Sequence, residues 1–241
     1  MNNFNIVNFE ESLSIVIPLY NKENNIIYTL KCIVEKISSP NLQIIVVENE
    51  STDRSEEVAR EYINKIKQTV DVELIHSKKG LGNALIKGFE NCKNDWIYFI
   101  PADFSFGYSE LSYVTQKKLY KDYDLFIGSK SHRDSEILRS NSRKFYSFIF
   151  NYLLKLIFSI PVNDTQGTIL FRSKILDNIG SLKNEEYLIT TEFIVRAYKK
   201  NNRLLEIPIV DLGINSISTV NPLIDGLKML IGLIKLRLQI K

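Results

Sequence analysis

The stretch Ile97–Ser105, which reads IYFIPADFS, is an apolar run that ends near a carboxylate. Short apolar runs rich in aromatic and β-branched side chains predict buried strands. Ligands of open α/β sheets bind at the carboxyl ends of the strands, where Asp103 is then expected to lie. These residues leave two interpretations: Asp103 belongs to a ligand site, or it only caps a helix that begins near Tyr108.

Strand-like and helix-like patterns alternate before this stretch. The strands are predicted at residues 13–18, 42–47, 70–76 and 96–100. Pro18 is predicted to end the first strand because proline cannot donate a ladder hydrogen bond, and Ser51 or Thr52 is predicted to cap the second helix. The alternation and the short connections predict an α/β fold with a mostly parallel sheet flanked by helices.

The second half of the chain has a less regular pattern. Further strands are predicted at residues 123–127, 168–171 and 204–210, and a helix at Tyr187–Lys199. Phe145–Phe158 is a very apolar helical pattern that is too short to span a bilayer. This helix is therefore predicted either to be buried or to lie at a membrane surface.

The C-terminal segment Pro222–Ile240 is amphipathic, with apolar residues on one face and polar, mainly basic residues on the other. A basic amphipathic helix suits an anionic membrane surface, and the alternative is a helix docked on the domain core. The predicted organisation is an N-terminal extension (1–12), a main domain (13–215) and a C-terminal amphipathic helix (216–241).

The composition bounds the class of protein. A chain of 241 residues with 44% hydrophobic and 24% charged residues suits one large α/β domain. Two cysteines without metal-ligand spacing exclude a disulfide framework, and a net charge of +3 is too small to indicate a nucleic-acid partner. No secretory signal or spanning segment is recognised. We therefore expect a protein of the cytoplasm or of the cytoplasmic face of a membrane.

Two glycines lie at the predicted start of a helix, in the sequence Gly80–Asn83. A glycine turn that opens a helix can bring backbone N–H groups against a phosphate. The same two glycines are also compatible with a role in shaping the turn alone.

Six segments together have a familiar order: Ile15–Asn21, Val46–Asp53, Gly80–Leu85, Pro101–Asp103, Ile127–Lys130 and Asp164–Gly167. With them the chain resembles family 2 glycosyltransferases of the GT-A fold from Leu13 to Arg237. Within that family it is most similar to the dolichol-phosphate mannose synthase group, as is the tail Ser218–Lys228. The resemblance implies inverting, metal-assisted transfer from a UDP- or GDP-sugar to a polyprenyl phosphate or another membrane-linked glycan intermediate.

The resemblance also implies a donor site. Pro18, Tyr20 and Glu48 would line the base and ribose pocket. Asp103, with Ser105 beside it, would hold Mg²⁺ or Mn²⁺ on the diphosphate, where the ion acts as a Lewis acid. The donor-binding residues implied are Pro18, Tyr20, Glu48, Gly82, Ala102, Asp103 and Lys130.

Two carboxylates are implied on the acceptor side. Asp164 and Glu192 match acidic positions that orient the acceptor or serve as a base. If the acceptor is already an anionic phosphate, no strong base is needed. The alternatives are a turn-capping role for Asp164 and a structural role for Glu192.

The chain departs from the family pattern at three places. Pro101 stands at the first acidic position of the DxD motif, Lys22 stands where a glutamate is usual, and Glu48–Glu50 replaces Asp-Asp-Gly. Two rival functions remain open beside the main one. They are a transferase of the same fold with a soluble or polysaccharide acceptor, and a catalytically weak subunit that binds sugar nucleotides. The sequence also allows the chain to form a homo-oligomer.

Overall fold

Seven strands form one central sheet in a computed structural model, which describes residues 6–137, 141–212 and 222–240. Side chains are described for 6–137, 149–212 and 231–240. The strands are β1 Val7–Asn8, β2 Leu13–Leu19, β3 Ile37–Ser38, β4 Leu42–Glu48, β5 Asp71–His76, β6 Trp96–Phe99, β7 Leu125–Ser129, β8 Ile169–Arg172 and β9 Leu204–Pro208. The helices are α1 Ile26–Lys36, α2 Ser55–Ile66, α3 Leu81–Glu90, α4 Ser109–Gln116, α5 Asn141–Phe158, α6 Lys174–Ile179, α7 Ile189–Lys199 and α8 Pro222–Gln239, with a 3-10 turn at Leu119–Lys121.

The central sheet has the strand order β5-β4-β2-β6-β8-β7-β9. Among the described strands of this sheet, β8 alone runs antiparallel to its neighbours β6 and β7. The parallel strands β5, β4, β2 and β6 bring their carboxyl ends to one edge, which we call the carboxyl edge. The prediction of a mostly parallel α/β sheet is confirmed.

Both faces of the sheet are covered, as the continuous apolar character of β4 requires. Ile15 and Val46 point to one face and pack under α1, α2 and α4. Val16 and Ile45 point to the other face, where α3, α7 and α8 supply the apolar partners. Burial of each such side chain contributes roughly 1.5–3 kcal/mol to the free energy of unfolding, so the sheet is a rigid base for the loops at its carboxyl edge.

Pro18 does not end its strand, contrary to the sequence prediction. It pairs with Val47, and the strand continues to Leu19, which pairs with Glu48. Successive residues of a central parallel strand bond to opposite neighbours. Val16 O accepts from Ile100, the residue after β6, and Leu19 O accepts from Asn49, the residue after β4. Pro18 therefore faces the β6 side. The β6 ladder stops at Val16, and the missing N–H of Pro18 therefore breaks no ladder bond.

Two predicted helix caps are also wrong. The second helix begins at Ser55, whose N–H donates to the carboxylate of Asp53 at 2.9 Å; Ser51 and Thr52 lie too early to reach its first turn and bond to Asn21 instead. Asp103 does not cap α4, which begins six residues later at Ser109. This removes the capping interpretation of Asp103.

The two ends of the chain contribute to the core where they are described. Val7 pairs with Ile37 in a separate two-stranded sheet, and Phe9 is buried against Trp96 with ring centroids 5.9 Å apart. Leu233 and Leu236 of α8 are buried in the core, and α8 packs against α5. Among the described helices, none is long and apolar enough to cross a membrane. Residues 213–221, which include the start of the tail similar to the family, lie outside the described residues.

Candidate active site

The loops after β2 and β4 are joined by hydrogen bonds at the carboxyl edge. The side chain of Asn21, which has a left-handed φ of 49°, accepts from Thr52 N at 2.8 Å, a conformation that asparagine tolerates well. The N–H of Lys22 donates to Ser55 Oγ at 2.6 Å. These bonds fix the backbone at Lys22 before its long side chain leaves the loop.

Pro18, Tyr20 and Glu48, the predicted base-pocket residues, all lie at this edge. Glu48 is the last residue of β4 and is 5% exposed. Its two oxygens accept from Glu50 N at 3.0 Å and Ser51 N at 2.6 Å. The Lys79 ammonium lies 4.8 Å from the centre of the Tyr20 ring. The structure therefore brings the three residues together at the ends of the neighbouring strands β2 and β4, with Tyr20 directly after β2 and the Glu48 carboxylate turned towards its own loop.

Asp103 lies in a tight turn beyond β6, at the mouth of the sheet. Its Oδ2 is 3.1 Å from the ammonium of Lys22, and its Oδ1 accepts from the backbone and hydroxyl of Ser105. Ala102 O accepts from the hydroxyl of Thr29 at 2.8 Å, which ties the turn to α1. Both oxygens of the carboxylate are thus engaged by groups of the chain itself.

The residues around Asp103 do not fit a resident divalent ion. Mg²⁺ and Mn²⁺ are held by several oxygen ligands, but Pro101 offers none from its side chain, and the Lys22 cation already lies on the Asp103 carboxylate. Within the described ranges, the one group of three or more metal-ligating side chains is Glu48, Glu56 and His76, with ligand atoms within 4.8 Å of one another. That group does not include Asp103.

The first turn of α3 is covered by another segment of the chain. A Cβ on Gly82 would lie 2.0 Å from Asn184 O, and Asn83 N donates to Glu185 O at 3.2 Å. A side chain at Gly82 would displace this segment, so the contacts support the turn-shaping interpretation of the glycines. Binding of phosphate at Gly82 stays a prediction.

Asp164 joins the loop after β7 to the turn that precedes β8. It is 4% exposed and accepts from Lys130 N and Gln166 N, both at 2.9 Å. The ammonium of Lys130 lies 4.0 Å from Asp164 Oδ2 and donates to Gln166 O at 2.7 Å. A Cβ on Gly167 would lie 1.8 Å from Gly128 O. These close contacts make the two predicted site residues, Lys130 and Asp164, parts of one rigid unit.

Glu192 is fully buried on α7 and holds the segment that covers α3. Its carboxylate lies 2.7 Å from the guanidinium of Arg196 and accepts from the N–H groups of Lys183 and Asn184. All of these partners belong to the protein. Glu192 therefore fixes the position of residues 183 and 184.

A buried carboxyl network that the sequence did not predict lies beneath Gly128. Glu110 accepts from Tyr98 at 2.8 Å and from the hydroxyl of Thr168. Burial raises the pKa of Glu110, which favours its neutral form. A Cβ on Gly128 would lie 2.5 Å from Glu110 Oε1. No sequence signal marked Glu110, because an isolated glutamate in a helical pattern ordinarily faces solvent.

Comparison with sequence families identifies one match over most of the chain. The family model described as glycosyl transferase family 2 matches residues 14–180. An uncharacterised protein of Methanocaldococcus jannaschii is 29% identical over 232 residues, which cover 93% of this chain and 92% of the relative.

Two named relatives are larger proteins. Glycosyltransferase AglD of Haloferax volcanii is 25% identical over 206 residues, covering 82% of this chain and 32% of AglD. The undecaprenyl-phosphate 4-deoxy-4-formamido-L-arabinose transferase of Edwardsiella ictaluri is 30% identical over 105 residues, covering 43% of this chain and 31% of the relative. The matched regions span about a third of the length of each.

Solved structures share the fold. Glucosyl-3-phosphoglycerate synthase of Mycobacterium tuberculosis, in complex with Mn²⁺, UDP-glucose and phosphoglyceric acid, has a TM-score of 0.66 at 13% identity, covering 96% of this chain and 81% of that one. The mannosyltransferase PcManGT of Pyrobaculum calidifontis, in complex with GDP-mannose and Mn²⁺, has a TM-score of 0.59 at 16% identity, covering 86% and 58%. At these identities the likeness establishes the GT-A fold.

Proposed function

The chain belongs to glycosyl transferase family 2, and from that premise we propose that it transfers the sugar of a UDP- or GDP-sugar to a phosphate or hydroxyl acceptor linked to a membrane. The proposed donor site depends on one observation. Pro18, Tyr20, Glu48 and Asp103 all lie at one edge of the parallel strands. In the proposed reaction an anionic phosphate oxygen of the acceptor attacks the anomeric carbon with inversion, and the bond from that carbon to the diphosphate breaks. With a hydroxyl acceptor, the hydroxyl proton passes to solvent. The nucleoside diphosphate leaves.

The proposed roles follow from the contacts. Pro18, Tyr20 and Glu48 line the base and ribose pocket, and Asp103 lies at the diphosphate end. Lys130 supplies a cation near the transferred group, held in place by Asp164. Asp164 and Glu192 are then positioning residues. An anionic phosphate acceptor requires no strong base, which is consistent with two carboxylates whose oxygens are both engaged.

The proposal includes a divalent ion only as an ion bound to the sugar nucleotide. Mn²⁺ accompanies the sugar nucleotide in the complexes of the two solved neighbours. In this chain the residues around Asp103 do not fit a resident ion, so Mg²⁺ or Mn²⁺ could reach the site only together with the diphosphate and is not required by the proposal. No step of the reaction is assigned to it.

The proposed membrane-linked acceptor is supported by the surface that α5 and α8 form together. Large apolar side chains are exposed on both helices: Ile149, Tyr152 and Leu156 on α5, and Ile231, Ile234 and Leu238 on α8. Exposed Lys155, Lys235 and Arg237 lie on the same helices. An apolar surface mixed with basic side chains suits an anionic lipid surface. A polyprenyl-phosphate acceptor also agrees with the name of the Edwardsiella relative.

A soluble or polysaccharide acceptor is the second candidate, and the docking of α8 favours it. Leu233 and Leu236 are buried in the core, and the ammonium of Lys199 donates to Ile240 O at 3.2 Å. The described end of the helix is therefore bound to the domain, and a membrane contact would use only its outer face.

Thermal shift with a panel of nucleoside diphosphates and their sugars tests the donor assignment. We expect UDP or GDP to raise the Tm, since a ligand at 100 times its Kd stabilises the folded state by about 2.7 kcal/mol. The corresponding sugar nucleotide should turn over when lipid phosphate is added. Failure of every nucleotide to shift the Tm, with and without Mn²⁺, would contradict the proposal.

Sedimentation with anionic vesicles tests the membrane surface. Replacing Leu156 and Leu238 together by glutamate should lower the partition coefficient at least ~100-fold, because burial of each apolar side chain contributes about 1.5–3 kcal/mol and glutamate is repelled by the lipid. Ile6→Glu is the control, since Ile6 is 62% exposed and lies outside both helices. Equal sedimentation of the double variant and the control would favour the soluble acceptor.

A further inference from the structure

The ammonium of Lys22 lies on the carboxylate for which the sequence predicts a metal ion. Lys22 Nζ is 3.1 Å from Asp103 Oδ2, which is an ion-pair distance. The side chains are 33% and 14% exposed, so the pair is shielded but remains in reach of a ligand. Lys22 and Pro101, two of the positions that differ from the family pattern, thus both lie beside Asp103. This chain has a lysine cation there and lacks the first carboxylate of the motif.

The loop structure fixes this cation. Lys22 N donates to Ser55 Oγ, and the residues on either side are bonded to the loop after β4 through Asn21–Thr52 and Glu23–Asp53. Lys22 O accepts from the N–H groups that start α1. The lysine therefore leaves a backbone that is held on both sides, and its head group is directed across β2 to the turn after β6.

Two other lysines near the carboxyl edge, Lys130 and Lys79, make contacts away from Asp103. The ammonium of Lys130 donates to Gln166 O and is 12% exposed, and that of Lys79 lies over the ring of Tyr20. An ammonium has three donors, and its ion pair with Asp103 uses one carboxylate oxygen. Lys22 can therefore keep Asp103 and also donate to a diphosphate oxygen.

We propose that Lys22 is the resident cation of the donor site, so that the nucleoside diphosphate binds to the Lys22–Asp103 pair without a divalent ion. This inference depends on the proposed function, in which the donor is a nucleoside-diphosphate sugar. Lysine binds phosphate as a point charge, and it supplies one positive charge where a divalent ion would supply two. A divalent ion and the Lys22 ammonium compete for the same carboxylate, because like charges at this distance repel strongly.

Calorimetry of UDP and GDP binding tests whether Lys22 is the cation of the donor site. In EDTA, the wild-type chain should retain its affinity to within about tenfold of the value in Mn²⁺. Lys22→Met should lose roughly 10- to 100-fold in EDTA, as expected for a charged hydrogen bond, and Lys22→Arg should retain most of the affinity. Lys31→Met, an exposed lysine of α1, is the matched control. Binding that requires Mn²⁺ in the wild type, or that is unchanged in Lys22→Met, would overturn the inference.

Mn²⁺ titration followed by electron paramagnetic resonance tests the competition without any nucleotide. Lys22→Met should bind Mn²⁺ at least tenfold more tightly than the wild type, since the repelling ammonium is gone. The double variant Lys22→Met/Asp103→Asn should lose that gain. Equal Mn²⁺ affinity in the wild type and Lys22→Met would overturn the inference. If no nucleoside diphosphate binds under any condition, the proposed donor fails, and this titration still decides whether Lys22 excludes the ion.

Discussion

Asp103→Asn should lower the turnover of the sugar nucleotide by roughly 100- to 1,000-fold while the protein stays folded. Asp103 is the carboxylate beyond the end of the central strand β6, and its Oδ2 holds the Lys22 ammonium. An amide carries no charge, so it cannot hold that ammonium or a cation that arrives with the donor. The Lys22 ammonium would then lose its position beside the diphosphate, and loss of one preorganised electrostatic contact to the leaving group has an effect of this size.

The measurement is kcat from release of the nucleoside diphosphate, together with the Tm of each variant. Asp71→Asn is the matched control, because Asp71 is an exposed aspartate at the amino end of β5, on the opposite edge of the sheet. Turnover within threefold of the wild type, at an unchanged Tm, would exclude Asp103 from the donor site.

Glu192→Ala should lower the free energy of unfolding by about 3–5 kcal/mol, the loss expected when one partner of a buried ion pair is removed. Arg196, whose side chain is 15% exposed, would keep its charge without the carboxylate. The N–H groups of Lys183 and Asn184 would lose their acceptor. The segment 183–185 would then loosen from the start of α3, which it covers.

Chemical denaturation measures this loss, and Glu186→Ala, an exposed glutamate of the same segment, is the control. Glu192→Gln separates the structural role from a catalytic one, because glutamine keeps the size and one acceptor but cannot act as a base. We expect Glu192→Gln to be less stable than the wild type, with kcat of the folded protein within tenfold. A loss of kcat above 100-fold at unchanged stability would identify Glu192 as a base.

The sequence was sufficient to predict the layers of the fold. Apolar runs such as Leu42–Glu48 have no polar face, so they require cover on both sides, and their alternation with helical patterns leaves few topologies. The expected place of Asp103 followed from the same argument, because strands that run parallel end at a common edge. Pro18 and Glu48 lie at the ends of neighbouring parallel strands and Asp103 follows β6, while their roles in donor binding stay predictions.

Contacts between residues distant in sequence could not be predicted in this way. Nothing within the segment around Lys22 indicates that its ammonium reaches Asp103, which lies 81 positions later. Glu192 matches an acidic position of the family, yet its oxygens accept from the amides of Lys183 and Asn184 in a preceding loop. The antiparallel direction of β8 could not be predicted either, because the sequence of a short apolar strand does not indicate the direction in which it pairs.

The sequence by itself determined that this chain is a family 2 glycosyltransferase with an α/β sheet, because local periodicity and motif order are properties of consecutive residues. The tertiary structure decided which charges meet. It places Lys22 on Asp103 and Lys130 beside Asp164. The physical reason is that an ion pair depends on the distance between side chains in space, and the packing of helices and loops on the sheet sets that distance.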